Sequence, residues 1–267
     1  MYKAVVSDLD GTLLNGSHVI DEFTKETVSE VINRGIKFYI ATGRSYSGAK
    51  DIMDKLGLKI PLITSNGARI LDEEGKEIYV NNLEKKYSDL ILDIDYKKKG
   101  KSIVLNVYSG NDWYVTEDRR EFYMKINPKR TFFPEVTTLE KLKTKEFTKI
   151  FFLGEHDELL ELEKEIENIT KGEVNIAFVL EHCLEIFSKE SDKANAARFL
   201  LEKDGLTLKD SVAFGDGCND YNLLKEAGKG FVMGNALYRL KESLPENETV
   251  ETNADNGVAK KLVELFL

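Results

Sequence analysis

Residues 2–8, Tyr2-Lys3-Ala4-Val5-Val6-Ser7-Asp8, form a short apolar run that reads as a buried strand, and Asp10-Gly11 reads as the turn after it. From about Glu22 to Arg34 the period changes. Phe23, Val28, Val31 and Ile32 give an apolar stripe, Asp21 stands at the N-cap position and Gly35 can end the helix. Residues 36–40 predict a second strand. Ala49, Ile52, Met53 and Leu56 at i, i+3, i+4 and i+7 predict a second helix closed by Gly57, and residues 61–64 predict a third strand. This alternation is the signature of a parallel sheet with crossover helices. Residues 69–71 and 77–80 flank Asp72-Glu73-Glu74-Gly75 as a hairpin.

From about Leu83 the texture changes. Tyr87, Leu90, Ile91 and Ile94 mark a helix running to Lys97-Lys98-Lys99-Gly100, with the lysines as a solvated end stabilised by the helix dipole. Residues 102–108 and 113–116 predict a hairpin, followed by a short helix near 119–126 and a strand near 147–153. A helix carrying Leu159, Leu162, Ile166 and Ile169 follows, then strands near 174–179 and 184–187. Strands grouped apart from helices indicate an α+β module. The alternation resumes near Asp192, with a helix through Ala196, Ala197, Leu200 and Leu201, a strand over 211–214, a helix near 220–227, a strand at Phe231-Val232 and a last helix near 258–266. The expected fold class is therefore α/β: a discontinuous parallel-sheet core, residues 1–82 with 190–267, and an inserted α+β module over 83–189.

A length of 267 residues suits one large α/β domain with a smaller one inserted. Hydrophobic residues at 42% and charged residues at 32% fit a soluble globular chain. A net charge of −9 argues against nucleic acid as a partner, because nothing here drives counterion release. Cys183 and Cys218 show no pairing pattern and are expected to be reduced and mostly buried, and three scattered histidines do not suggest structural zinc. The chain enters a strand pattern with no signal segment and holds no apolar run of membrane-spanning length. The expectation is a cytoplasmic protein with no membrane association and no obligate protein partner.

Four stretches carry candidate chemistry. Asp8-Leu9-Asp10-Gly11-Thr12-Leu13 sets two carboxylates at the end of the first strand, where open parallel sheets place ligands. Neighbouring acids repel, so a cation is their natural neutraliser. Asp8 can act as a nucleophile on a phosphoryl group whose charge a metal withdraws, and Asp10 can shuttle the proton. Ala41-Thr42-Gly43-Arg44 offers a hydroxyl and backbone N–H groups to phosphate oxygens at a strand-to-helix turn, with Arg44 supporting the site or a nearby carboxylate rather than performing chemistry. Lys193 begins a helix and can stabilise charge on a transferring phosphoryl group. Gly215-Asp216-Gly217-Cys218-Asn219-Asp220 supplies hard oxygen ligands suited to Mg²⁺ from Asp216 and Asp220, with Asn219 able to hydrogen-bond the phosphate.

In this order the four stretches resemble the motifs of the haloacid dehalogenase superfamily of phosphatases, and the insert resembles the cap of its Cof-like, type IIB branch. The resemblance extends to Ser65-Asn66-Gly67-Ala68, Leu184-Glu185-Ile186, Met233-Gly234-Asn235-Ala236 and residues 252–259. It implies Asp8 as nucleophile and Asp10 as general acid/base. It implies a phosphoryl site formed by the Leu9 backbone N–H, Thr42, Gly43, Lys193 and Asn219. It implies Mg²⁺ held by Asp8, the main-chain carbonyl of Asp10 and Asp216, with Asp220 nearby, directly or through water, and a Rossmann-like core with an α+β cap over 83–189 that is mobile and closes over the substrate. The chain departs from the family at Glu190 and Ala194, where glycines often flank the lysine.

The expected function is hydrolysis of a small-molecule phosphomonoester, a sugar phosphate foremost, through an aspartyl-phosphate. A phosphosugar mutase and a non-catalytic phosphometabolite sensor are the alternatives. Trp113, Tyr114, Phe132 and Phe133 offer rings that can pack on a substrate but read first as core or hairpin residues of the insert, and His18 can reach the cleft but reads first as an exposed loop histidine.

Overall fold

The computed structural model describes residues 2–126 and 132–267. The chain forms two compact units, residues 1–80 with 191–267 and residues 81–190.

Unit 1 begins with β1 (Ala4–Ser7), α1 (Glu22–Asn33), β2 (Lys37–Ala41), α2 (Tyr46–Leu56), β3 (Leu62–Thr64), β4 (Arg69–Leu71) and β5 (Glu77–Val80). The chain then builds unit 2: α3 (Lys85–Leu92), α4 (Tyr96–Lys99), β6 (Val104–Ser109), β7 (Asp112–Val115), α5 (Arg120–Ile126), β8 (Glu135–Val136), α6 (Leu139–Leu142), β9 (Lys149–Leu153), α7 (His156–Thr170), β10 (Val174–Leu180) and β11 (Cys183–Ser188). It returns to unit 1 with α8 (Lys193–Lys203), β12 (Ser211–Gly215), α9 (Tyr221–Glu226), β13 (Lys229–Val232), α10 (Tyr238–Ser243), β14 (Glu248–Thr249) and α11 (Gly257–Phe266).

Among the described residues, the strands of unit 1 pair in the order β14-β13-β12-β1-β2-β3-β4-β5. The pairs from β14 through β3 are parallel, and the β3–β4 and β4–β5 pairs are antiparallel. β1 and β12 are buried along their whole length, as parallel strands covered on both faces must be. Val5, Val6, Ile40, Ile63, Val212 and Phe214 meet Val28, Val31, Leu200, Leu201 and Leu262 in one core. α1 departs from the expected stripe. Its buried positions are Thr24, Thr27, Val28 and Val31, spaced i, i+3, i+4 and i+7, and Phe23 falls one residue off that face and is 44% exposed.

In unit 2 the sheet order is β10-β11-β9-β6-β7-β8. Leu105, Val107, Ile150, Phe152, Leu184 and Ile186 pack with Ile91, Leu159, Leu162 and Ile166. Alternate residues Trp113, Phe151 and Cys183 form a second cluster with Tyr123. Buried Asn106 joins this cluster by accepting from Trp113 Nε1 at 3.1 Å and Tyr123 OH at 2.9 Å. The single helix expected over residues 87–99 is two. Ile94 and Tyr96 are both buried, and a continuous helix sets such neighbours about 200° apart. The break at 93–95 lets both reach the core, where Tyr96 meets the Phe152 ring at 5.6 Å. The lysines after it are not merely solvated: Lys97 donates to the Ile103 carbonyl at 2.7 Å, and Lys99 pairs with Glu165 at 2.7 Å. Among the described residues, no helix is long and apolar enough to cross a membrane.

Candidate active site

β1 lies between β12 and β2 with all three strands parallel, so Asp8, Thr42 and Asp216, each at or just past a strand end, share one sheet edge. Asp8 opens a tight turn over Leu9–Leu13, closed by Leu13 N–H to Asp8 O at 3.3 Å and Leu14 N–H to Leu9 O at 2.8 Å. Gly11 is required here twice over. Its φ is +72°, and a Cβ would overlap the Asp216 carboxylate. Thr12 Oγ1 donates to Asp216 Oδ1 at 2.9 Å, tying the first stretch to the fourth across 204 residues.

Lys193 comes from the first turn of α8, which Asp192 caps by accepting from Ala194 N–H at 2.7 Å and Asn195 N–H at 3.2 Å. Only 1% exposed, Lys193 donates through Nζ to Asp8 Oδ1 and Asp220 Oδ1, both at 2.6 Å. The second oxygen of Asp220 accepts from Asp216 N–H at 3.1 Å and Gly217 N–H at 2.9 Å, which folds the 215–220 loop around it. Asp8, Asp216 and Asp220 each present an oxygen within 4.8 Å of the others.

One ammonium thus faces three carboxylates. Burial, with the charges of Asp220 and Asp216, holds the Asp8 carboxyl well above the usual aspartate range despite Lys193. Burial and Asp220 push Asp216 up to about 6. Burial opposes the charge on Lys193, but Asp220 and Asp8 outweigh it, so its pKa lies above the ordinary lysine value. The excess negative charge and the all-oxygen donor set fit a small hard divalent cation.

Asp10 is not part of this cluster. Its carboxylate accepts from Arg44 Nε at 2.6 Å and Nη2 at 2.5 Å, and His18 Nδ1 stands 3.9 Å away. The metal role expected of Asp10 concerned its main-chain carbonyl, not this side chain. The bond to Asp10 raises the Arg44 guanidinium above its ordinary value. Thr42 is buried, and its Oγ1 accepts from Arg44 N–H at 3.1 Å, which leaves the hydroxyl proton to donate. Leu9 is fully buried beside Asp8, and Gly43 follows Thr42 directly. Asn219 is exposed and donates through Nδ2 to Asn66 Oδ1 at 2.9 Å.

Two further stretches brace the loops. Asn235 Nδ2 donates to Gly11 O at 2.8 Å, and Asn253 Nδ2 donates to Leu14 O at 2.7 Å. The Leu237 N–H reaches Asp216 O at 3.0 Å. Thr12 stands within the first acid-bearing stretch, and its role is not legible from the sequence. Its signal was a hydroxyl two residues after an acid-bearing turn, which is too common to single out. Cys218 departs from expectation: it lies exposed in the 215–220 loop, whereas Cys183 is buried in unit 2. Within unit 2, Trp113 and Tyr114 are buried, Phe133 is partly buried and Phe132 is 40% exposed. Glu185 makes a buried ion pair with Lys149 at 2.5 Å.

Comparison with known proteins agrees with this geometry. Residues 5–262 match the model of the haloacid dehalogenase-like hydrolase family. A Buchnera aphidicola (subsp. Baizongia pistaciae) protein named "Putative phosphatase" is 38% identical, over 100% of this chain and 99% of its own. An "HMP-PP phosphatase" of Yersinia pseudotuberculosis is 31% identical, over 98% and 94%. The crystal structure of a haloacid dehalogenase-like hydrolase from Bacteroides thetaiotaomicron superposes with a TM-score of 0.84 at 26% identity, covering all of both chains. The chain belongs to the haloacid dehalogenase-like hydrolase family, as a phosphatase.

Proposed function

We propose that the chain is a Mg²⁺-dependent phosphatase that hydrolyses small phosphomonoesters, sugar phosphates foremost, through an aspartyl-phosphate on Asp8. The observation that carries this reading is the bridge of Lys193 Nζ to Asp8 and Asp220 beside Asp216, which makes one site of residues from both ends of the chain.

Asp8, Asp216 and Asp220 would hold the ion, with the Asp10 carbonyl contributing. When bound, Mg²⁺ supplies charge neutralisation that lets a carboxylate approach a phosphoryl group. Asp8 attacks phosphorus; the new Asp8–P bond forms as the P–O bond to the alcohol breaks. Asp10 gives its proton to the departing oxygen. Water then attacks the phosphoryl group, Asp10 takes its proton, and the Asp8–P bond breaks to release inorganic phosphate. Arg44 offers donors only and occupies one acceptor site on each Asp10 oxygen, which leaves the remaining sites for the transferred proton. The backbone N–H groups of Leu9 and Gly43, the Thr42 hydroxyl, the third proton of Lys193 and the second amide proton of Asn219 hold the phosphoryl oxygens. Substrate choice is assigned to the insert, residues 83–189. A cytoplasmic location, where metabolite phosphates occur, belongs to the same reading.

The test is phosphate release from a panel of phosphorylated metabolites, HMP-PP included, with Mg²⁺ or with EDTA. Release is expected only with Mg²⁺, and Asp8→Asn is expected to be silent. Equal turnover by Asp8→Asn, or label passing to a second sugar hydroxyl instead of water, overturns the proposal.

A further inference from the structure

Ser65-Asn66-Gly67 takes no part in the chemistry above, yet its backbone is held in an uncommon form. Ser65, Asn66 and Gly67 have φ of 50°, 55° and 97°, three left-handed residues in a row. Asparagine and glycine tolerate this region, and serine does so poorly. A strained turn persists only where its surroundings hold it. Here they do so from three sides. The Ser65 N–H donates to Arg44 O at 2.7 Å, and the Asn66 N–H donates to Thr42 O at 3.0 Å, which docks the turn on the 42–44 loop. Gly67 lies so close to the Asp192 backbone that a Cβ would overlap the Asp192 carbonyl, which ties the turn to the start of the Lys193 helix. Asn66 Oδ1 accepts from Asn219 Nδ2 and stands 3.0 Å from where a Cβ of Gly43 would be. The Asn66 side chain is 6% exposed, whereas Asn219 is exposed.

We propose that Asn66 is a positioning residue: its buried amide oxygen holds the Asn219 side chain in the one orientation that aims its second N–H at the phosphoryl site beside Gly43. This inference deepens the proposed function and rests on it for the phosphoryl site. A mobile Asn219 on an exposed loop loses rotamer freedom each time it binds a phosphate oxygen, and Asn66 removes that loss before the ligand arrives. The left-handed φ explains the residue type, because asparagine adopts it more readily than most side chains and still presents an acceptor.

The test is a double-mutant cycle of Asn66→Gly, which keeps the left-handed backbone and deletes the amide, with Asn219→Ala. Two quantities are read with Mg²⁺ present: the affinity for inorganic phosphate by calorimetry, and kcat and KM for p-nitrophenyl phosphate. Thermal midpoints check that each variant folds. Asn66→Gly is expected to weaken phosphate binding and kcat/KM by about tenfold in the wild-type background and by less than twofold when Asn219 is already alanine. Equal losses in both backgrounds overturn the inference, as does an unchanged phosphate affinity in Asn66→Gly. If Asn66→Gly does not fold, Asn66→Ser takes its place, since its hydroxyl is too short to reach Asn219. A wild-type chain that binds phosphate but turns over no ester defeats the proposed function, while the binding cycle still decides the role of Asn66. A wild-type chain that binds no phosphate defeats both.

Discussion

Lys193 stands between two carboxylates with its ammonium sealed from water, and Asp216 lies beside them. Taking away one member of such a buried group leaves the others uncompensated, which costs about 3–5 kcal/mol. Lys193→Met is therefore expected to lose about that much stability in denaturant titrations with EDTA. Mg²⁺ is expected to restore part of it. Loss of a charge donor to the phosphoryl group also predicts a drop in kcat of about 10²- to 10³-fold. An Lys193→Met chain as stable and as active as the wild type would refute the arrangement. Gly11 makes a second prediction at this scale. With φ of +72° and the Asp216 carboxylate against it, Gly11→Ala has to displace either the turn or Asp216. Mg²⁺ affinity by calorimetry is expected to fall at least about tenfold, the equivalent of about 1.4 kcal/mol. Unchanged affinity would refute the placement of the Gly11 turn and Asp216 together at the ion.

Among the elements, the strand-to-helix joints carry the site. α8 starts at Lys193 because the Asp192 side chain takes two of the N–H groups that the first turn leaves unpaired, and Asp192 also accepts from Asn222 Nδ2 at 2.9 Å. Asp192→Ala is expected to cost about 1 kcal/mol of stability and to lower kcat, because the helix start sets the height of the Lys193 stem. A thermal scan and a rate measurement check it, and full activity with the expected loss of stability would separate capping from positioning. The elements with a buried apolar face were legible from periodicity: β1, β2, α2, α8, β12 and α11 all stand where apolar spacing puts them. Those without such a face were not. β14 is two residues, Glu248 and Thr249, both exposed, and exists because β13 offers it a parallel edge. α10, spanning Tyr238–Ser243, has one buried residue, Leu240, and so gives no periodic signal. The split of the helix over 87–99 was hidden for a related reason, since only packing demands that Ile94 and Tyr96 both turn inward.

For the molecule as a whole, the carboxylate cluster couples folding to pH. Asp8, raised well above the ordinary aspartate value, and Asp216, raised to about 6, keep protons in the folded chain that the unfolded chain has already released, and for Asp216 that window runs from the ordinary aspartate value to about pH 6. Folding stability from these groups is thus full below that window and is lost as pH rises through it. Mg²⁺ competes with those protons. Added Mg²⁺ is expected to raise the thermal midpoint strongly at about pH 8 and little at about pH 4.5. Asp216→Asn is expected to flatten the fall in stability of the EDTA-treated chain. A midpoint shift with Mg²⁺ that is equal at both pH values would disprove the linkage.

The sequence alone determined the local matter: buried strands, the glycine turn after β1, the acid-bearing and hydroxyl-bearing loops, and the alternation that makes unit 1 a parallel sheet. These follow from steric and solvent preferences that act over a few residues. Only the tertiary structure decided that Lys193 bridges Asp8 and Asp220, that Arg44 takes the Asp10 carboxylate, that Thr12 holds Asp216 and that Asn66 meets Asn219. Those contacts span from 27 to 204 residues of chain. They depend on β12 pairing beside β1 and on side-chain rotamers chosen by packing around the sheet edge, and neither is encoded in the spacing of neighbours along the chain.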